Sequence, residues 1–188
     1  MISVYIYTLE NLCDVELPSN LEEHCNKYTL DYKRKVSRYA YYLLAKKIKE
    51  SGYDPEKITF TENGKAIHPH ISFSLSHSRD YVVLAISEAS CGVDVQEIIL
   101  NERLDIADKI LTEEEYHIFK NKLDKNGYLT EKWTLKEAYG KFLGCGMTSS
   151  VFNTTVEGFT FNVSGAVISV YPRENQDIYL FYQDQEIA

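Results

Sequence analysis

The chain opens on an alternating run, Ile2-Ser3-Val4-Tyr5-Ile6-Tyr7, whose period of two predicts a strand over residues 2–8. From about Thr29 to Glu50 the period changes. Val36, Ala40, Leu43, Leu44 and Ile48 recur at helical spacing, and Gly52 supplies a stop. Residues 57–61 form a short β-like run ahead of Asn63-Gly64, a tight-turn signal. Ile71-Ser72-Phe73-Ser74-Leu75-Ser76 alternates strictly, which predicts a half-buried strand ending at Ser76-His77-Ser78. Strands from Tyr81 to Ile86 and from Cys91 to Val95 follow, separated by the turn-like Ser87-Glu88-Ala89-Ser90. Thr112-Glu113-Glu114-Glu115 has the form of a capping box and predicts a helix through about Leu123. A further helix spans about 129–143 and closes at Gly144, and β-rich segments cover 156–163, 166–170 and 178–182.

Strands and helices in this order, with no Pro-, Gly- or Ser-rich linker, predict an α+β fold of two half-size units sharing one interface, although no sequence repeat is visible. At 188 residues, 44% hydrophobic and 26% charged, the chain has the make-up of a soluble globular protein with a real core. No apolar run approaches the roughly 20 residues of a membrane span. The N-terminus lacks the basic start and cleavage site of a signal peptide. Cys13, Cys25, Cys91 and Cys145 form no CxxC pair, so a reduced, cytoplasmic protein is expected.

A net charge of −8 argues against a general nucleic-acid binder. The charge is unevenly placed, however: Lys27, Lys33, Arg34, Lys35, Arg38, Lys46, Lys47 and Lys49 share their stretch with a single acid, Asp31. Such a run is either a solvated helix face or a site for a small, highly anionic ligand.

Two segments carry the chemistry. In Trp133-Thr134-Leu135-Lys136-Glu137-Ala138-Tyr139-Gly140-Lys141, positions 133, 137 and 141 fall along one side of a helix, with Lys136 one step round. Alone, Glu137 and Lys141 read equally as a surface ion pair worth about 0.3–0.5 kcal/mol. The apolar residues around them indicate a buried helix instead, where charges need partners or a metal. Asp94, inside Cys91-Gly92-Val93-Asp94-Val95, poses the same problem on an interior strand, or else caps a turn; Gly92 lets another backbone approach. Two acids from distant elements with cations beside them are what holding Mg²⁺ against a pyrophosphate requires. Ser76 and His77 are adjacent on a strand and so face opposite ways, which makes them a poor nucleophile–base pair and better phosphate donors. His68-Pro69-His70 lacks a third metal ligand. Ile98, Ile99 and Leu100, followed by Asn101-Glu102-Arg103-Leu104, either present an apolar patch to a partner or fill the core.

Together these segments resemble the 4′-phosphopantetheinyl transferases, specifically the broad-specificity, surfactin-synthetase-activating type. The likeness runs through the basic N-terminal helical region, Asn63-Gly64-Lys65, Phe73-Ser74-Leu75-Ser76-His77-Ser78, Gly92-Val93-Asp94-Val95 and Trp133 to Lys141. It implies a single-chain pseudo-dimer of two similar α+β halves, about 1–88 and 89–188. Each half is a small antiparallel sheet packed on a long helix, with the active site in the cleft between them. It also implies Mg²⁺ held by Asp94 and Glu137, with coenzyme A as co-substrate and an acyl or peptidyl carrier protein as partner. Lys141 and His77 match phosphate contacts, Lys65 and Ser76 other coenzyme contacts, and Arg38 the arginine near the adenosine 3′-phosphate; Lys33, Arg34 and Lys35 join that anion site. Lys136 is a possible helper of Lys141.

Many members carry Asp-x-Glu at the metal, where this chain has Asp94-Val95-Gln96. Gln96 offers the metal a neutral oxygen or holds a water, so weaker Mg²⁺ binding is expected. Glu97 points to the opposite face and is no substitute. The activity implied is transfer of phosphopantetheine to a carrier serine with release of 3′,5′-ADP, by a monomer that binds neither nucleic acid nor membrane. The alternatives are a non-catalytic coenzyme- or carrier-binding module and another Mg²⁺-dependent phosphodiester enzyme.

Overall fold

The computed structural model describes residues 1–173 and 176–187, apart from the side chains of Asn11, Asn101 and Glu102. In chain order the elements are β1 (Ile2–Thr8), α1 (Ser19–Cys25), α2 (Asp31–Glu50), β2 (Thr59–Phe60), β3 (Ala66–Ile67), β4 (Ser72–His77), β5 (Tyr81–Ser87) and β6 (Gly92–Glu97). Then come α3 (Ala107–Ile110), α4 (Glu113–Lys120), α5 (Lys125–Leu143), α6 (Ser149–Phe152), β7 (Phe159–Val163), β8 (Ala166–Tyr171), β9 (Ile178–Tyr182) and β10 (Gln185–Glu186). A 3₁₀ segment, Asn101–Ile106, leads into α3. The result is the expected mixed α+β architecture.

The strands form a five-stranded sheet in the order β10-β9-β1-β5-β4, a three-stranded sheet β6-β8-β7, and the small β2-β3 hairpin. Most pairs are antiparallel, but β9 runs parallel to β1, so the C-terminal strands complete the sheet begun by the N-terminus. β5 is buried at every position, because alternate residues enter different cores. Val82, Leu84 and Ile86 pack with Ala40, Leu44 and Ile48 of α2, whereas Val83 and Ala85 pack with Val93, Val95, Ile168 and Val170 of the smaller sheet. The two sheets therefore stack face to face, with α2 on the outside of one and α5 on the outside of the other.

Local chemistry fixes the element ends. α5 begins at Lys125, four residues earlier than the apolar period indicates, because the Asp124 carboxylate accepts the Gly127 N–H at 2.8 Å and caps the first turn. It ends where Gly144 adopts φ 72°, the left-handed cap glycine favours. Thr112 and Glu115 form both bonds of the capping box, yet α4 stops at Lys120 rather than near Leu123. α1 is an element the apolar periodicity did not announce; it offers only Leu21 and Cys25 to the core.

Candidate active site

The smaller sheet and α5 approach closely at Gly92. A Cβ there would sit 1.9 Å from the Ala138 carbonyl oxygen, so only glycine permits this contact. Two residues further along β6, Asp94 faces the neighbouring turn of α5, from which Glu137 and Lys141 project. Asp94, Gln96, Trp133, Glu137 and Lys141 line one cleft of about 310 Å³ together with Ser76 and His77. Trp133, Glu137 and Lys141 thus share one side of the helix. The two acids drawn from elements forty residues apart meet.

Lys141 Nζ donates to Asp94 Oδ1 at 2.7 Å and to the Val93 carbonyl at 3.2 Å. Among the described residues it makes no ion pair with Glu137, its neighbour one turn back, so the surface-pair reading of these two does not hold. Ser76 Oγ donates to the same Asp94 oxygen at 2.7 Å. Burial, reinforced by the Asp94 charge, raises the Glu137 carboxyl above its usual range, and Lys141 only partly offsets this. Burial lowers the His77 imidazole, assisted by the cations Lys141 and Lys33 and opposed by Asp94. Gln96 stays on the Asp94 face of β6, while Glu97 turns away and accepts the backbone N–H groups of Arg79 and Asp80 at 2.6 and 3.2 Å.

A second cavity, about 570 Å³, adjoins this cleft through Leu75, His77 and Lys141 and runs towards Asn63, Lys65, Tyr41 and Cys145. Lys65 lines it while donating to the Lys141 carbonyl at 2.7 Å, where the end of α5 leaves acceptors unpaired. Tyr28, Ser37, Tyr41 and Cys145 line it too and were not singled out in the sequence, where nothing distinguishes them from core or loop residues. A larger groove, about 1210 Å³ between residues 121–132 and the β7–β8 hairpin, contains neither Asp94 nor Glu137.

Arg38 and Arg34, expected at the anion site, and Lys136, expected to help Lys141, each bond other groups. Arg38 bonds Glu22 and, at 2.6 Å, the Val15 carbonyl; the helix turn that aims Ser37 and Tyr41 into the cavity directs Arg38 towards α1. Arg34 pairs with Asp31 at 3.0 Å. Lys136, one residue from Glu137, projects into the opposite side of α5. Fully buried there, its ammonium donates to Glu115 at 2.8 Å, to the Ile110 carbonyl at 2.8 Å and to the Phe152 carbonyl at 2.7 Å. Helical geometry separates neighbours by about 100°, which is why one of this Lys-Glu pair reaches the cleft and the other does not. In the 98–104 segment, Ile99 packs into the core around α3 and α4 while Leu100 is exposed; the Asn101 and Glu102 side chains lie outside the described residues.

The donor set suits a hard divalent cation. Asp94 and Glu137 offer carboxylate oxygens and Gln96 an amide. No group of three or more His, Cys, Asp or Glu gathers among the described residues.

Residues 90–186 match the model of the 4′-phosphopantetheinyl transferase superfamily. The chain belongs to that superfamily. The transferase match takes in Asp94, Gln96, Glu137 and Lys141, and leaves Lys65, Ser76 and His77 before its start. Among curated relatives, the 4′-phosphopantetheinyl transferase psf-1 of Bacillus pumilus is 35% identical over 107 residues, 53% of this chain and 46% of that protein. The 4′-phosphopantetheinyl transferase gsp of Aneurinibacillus migulanus is 36% identical over 97 residues, 49% of this chain and 40% of its own length. The chain thus spans less than half the length of these transferases. No helix among the described residues is long and apolar enough to cross a membrane.

Proposed function

We propose that this protein transfers the 4′-phosphopantetheine arm of coenzyme A to a serine of an acyl or peptidyl carrier protein in a Mg²⁺-dependent reaction that releases 3′,5′-ADP. The observation that carries the reading is the convergence of Asp94, Glu137 and Lys141 on one cleft that continues into a cavity lined by Lys65 and His77. A diphosphate needs cations along its path and an acid pair to hold a metal beside it, and both lie here.

Asp94 and Glu137, with Gln96 beside them, would hold the metal; when bound, Mg²⁺ neutralises diphosphate charge and favours the departing phosphate. Lys141 is placed to neutralise charge on the transferring and leaving oxygens. Glu137, directly or through a water beside it, takes the proton of the carrier serine. The serine oxygen bonds to the phosphorus bearing pantetheine, and the bridging P–O bond breaks. The electron pair leaves on 3′,5′-ADP. His77, which lines both the cleft and the adjoining cavity, donates an N–H to the diphosphate.

We also read the chain as a pseudo-dimer with halves near 1–88 and 89–188, acting as a cytoplasmic monomer; α2 against one sheet and α5 against the other favour two units, although β9 and β10 return to the sheet of the first half. The test is intact-mass analysis of an apo-carrier protein incubated with coenzyme A, Mg²⁺ and this protein. A mass gain of one phosphopantetheine, abolished by EDTA, is expected; an unchanged carrier mass across acyl and peptidyl carriers refutes the reading.

A further inference from the structure

Along α5, Thr130, Thr134, Glu137 and Lys141 recur at intervals of four, three and four, which sets them on one stripe of the helix. Both threonines are fully buried. Thr130 Oγ1 accepts the Ile99 N–H at 2.8 Å, tying the helix to the chain that leaves β6, and gives its own proton to the Asn126 carbonyl at 2.7 Å. Thr134 Oγ1 lies 2.6 Å from the hydroxyl of Ser169 on β8, which is equally buried. Thr134 also reaches the Thr130 and Glu131 carbonyls of its own helix, at 3.1 and 3.0 Å. A hydroxyl has one proton to give. Directed to those carbonyls, it leaves Ser169 as the donor across the gap, and Ser169 in turn accepts from Thr160 of β7 at 3.3 Å.

Ser169 pairs directly with Asp94 across β6 and β8, and residues directly opposite share a face of the sheet. Thr134 and Glu137, three apart, are neighbours on the helix. The Thr134–Ser169 bond and the approach of Glu137 to Asp94 are therefore adjacent rungs between the same helix and the same row of the sheet. Beside them, the contact of Gly92 with Ala138 sets how close the two elements come, not how far one slides or turns on the other. A hydroxyl pair does restrict sliding and turning, because a hydrogen bond weakens steeply away from its preferred distance and angle. Its value does not lie in stability, since exchanging both partners of a buried pair for apolar groups of the same shape can be nearly neutral.

The geometry points to Thr134 and Ser169 as positioning residues that fix the slide and rotation of α5 over β6, and so hold the Glu137 and Asp94 carboxylates at the spacing one divalent cation requires. This rests on the proposed transferase reading, in which those two acids hold the metal. Neither hydroxyl lines the acidic cleft or the adjoining cavity, so the pair acts through the acids.

The test uses the full chain, with magnesium chloride and coenzyme A as calorimetric probes and thermal melts alongside. Mg²⁺ affinity is measured on protein saturated with coenzyme A, and coenzyme A affinity in EDTA. Ser169→Ala cuts the clasp and leaves Thr134 its helix carbonyls. Thr134→Val combined with Ser169→Ala replaces both hydroxyls by apolar groups of similar shape. Each is expected to weaken Mg²⁺ about 10-fold, the lower end of the range for groups behind the metal ligands. Coenzyme A affinity in EDTA stays unchanged, and the double variant melts close to wild type. Thr134→Ser, which keeps the hydroxyl, retains wild-type Mg²⁺ affinity. Wild-type Mg²⁺ affinity in whichever of the first two variants folds overturns the inference, because the hydroxyls then only satisfy one another in the core. A Mg²⁺ loss in Thr134→Ser as large as in the double variant overturns it too, as does an equal loss of coenzyme A in EDTA, which reports a general change in the cleft. If the wild-type chain binds coenzyme A but no Mg²⁺, or neither probe, the transferase reading itself fails, and the inference with it.

Discussion

Lys141 Nζ stands 2.7 Å from Asp94 Oδ1, bridging α5 to β6 across the joint between the acids. The ammonium passes over its own helical neighbour, Glu137, and leaves that half-buried carboxyl raised. One cation between two acids gives the cleft a net negative charge, which a divalent metal reverses and a diphosphate then balances.

Replacing Lys141 by Met removes the only cation bonded to Asp94 among the described residues. Charge-assisted hydrogen bonds contribute about 1.5–3 kcal/mol, and Asp94 is nearly buried, so a stability loss towards the lower end of that range is expected from denaturant titration. Coenzyme A affinity falls with it. Carrier modification drops by about 10²–10³-fold, the usual cost of losing a donor to a charge-developing centre. Wild-type turnover by the Met variant eliminates Lys141 from the reaction.

Glu137→Gln keeps size and burial but loses the negative charge. Transfer is expected to fall by about 10²–10⁴-fold, the range for a lost general base, with further loss from weaker metal binding. The fold survives, since the change removes a repulsion with Asp94 rather than a bond. Differential scanning with and without Mg²⁺ and coenzyme A separates the effects: the wild type gains Tm on addition, the Gln variant does not. A ligand-induced Tm gain of wild-type size in the variant rules out Glu137 as a metal ligand.

Much of this was legible in the residues because the apolar periods are clean. The alternation at 71–76, the apolar run at 81–86 and the helical spacing at 36–48 all return as elements. What the pattern could not give is which core each face enters, because that depends on β9 joining β1 across the whole chain. The site was legible at Asp94, Glu137 and Lys141, where charges sit amid apolar residues and must converge. It was misleading at Lys136 and Arg38. A cation near a motif looks available in sequence, and only packing reveals that Glu115 and Glu22 already hold these two.

Gly92→Ala tests whether the β6–α5 contact positions the acids. The added methyl would lie 1.9 Å from the Ala138 carbonyl, and backbone on both sides cannot yield as a side chain can. A destabilisation of about 1–3 kcal/mol or more follows from overpacking, with loss of activity in the folded fraction as Asp94 moves from Glu137. Circular dichroism melts and carrier modification at matched folded fraction are the measurements. Unaltered values for both mean that the strand can shift freely.

Lys136→Met separates structure from chemistry one residue from Glu137. It strands the Glu115 carboxylate, 2% exposed, without its closest cation; Lys132 remains at 3.9 Å. Breaking a buried pair from one side costs about 3–5 kcal/mol, so the melting temperature falls sharply. Coenzyme A affinity, measured below the transition, is expected to match wild type. A selective loss of coenzyme A binding with an unchanged Tm instead places the Lys136 ammonium at the phosphates.

Asp184 is the joint between the C-terminal hairpin and α2, and it makes stability depend on acid. Its carboxylate accepts the Tyr7 hydroxyl at 2.6 Å and pairs with Lys47 at 2.6 Å and Lys46 at 2.9 Å. Burial works to raise its carboxyl, but the bonds from Lys47, Tyr7 and Lys46 outweigh it and hold the group well below the usual carboxylate range. With the folded value beneath the unfolded one of about 4, the contribution is present above pH ~4 and lost as pH falls further. The side chain is 36% exposed, so screening limits the contribution to about 1–2 kcal/mol. Asp184→Asn is therefore expected to lower Tm at pH 7 by about 2–8 °C, at about 2–4 °C per kcal/mol for a chain of this size. The gap to wild type should narrow progressively as pH falls below ~4, because the unfolded carboxyl is protonated first and the folded one, held low by its partners, only at more acid pH. An equal gap across that range assigns the loss to packing rather than charge.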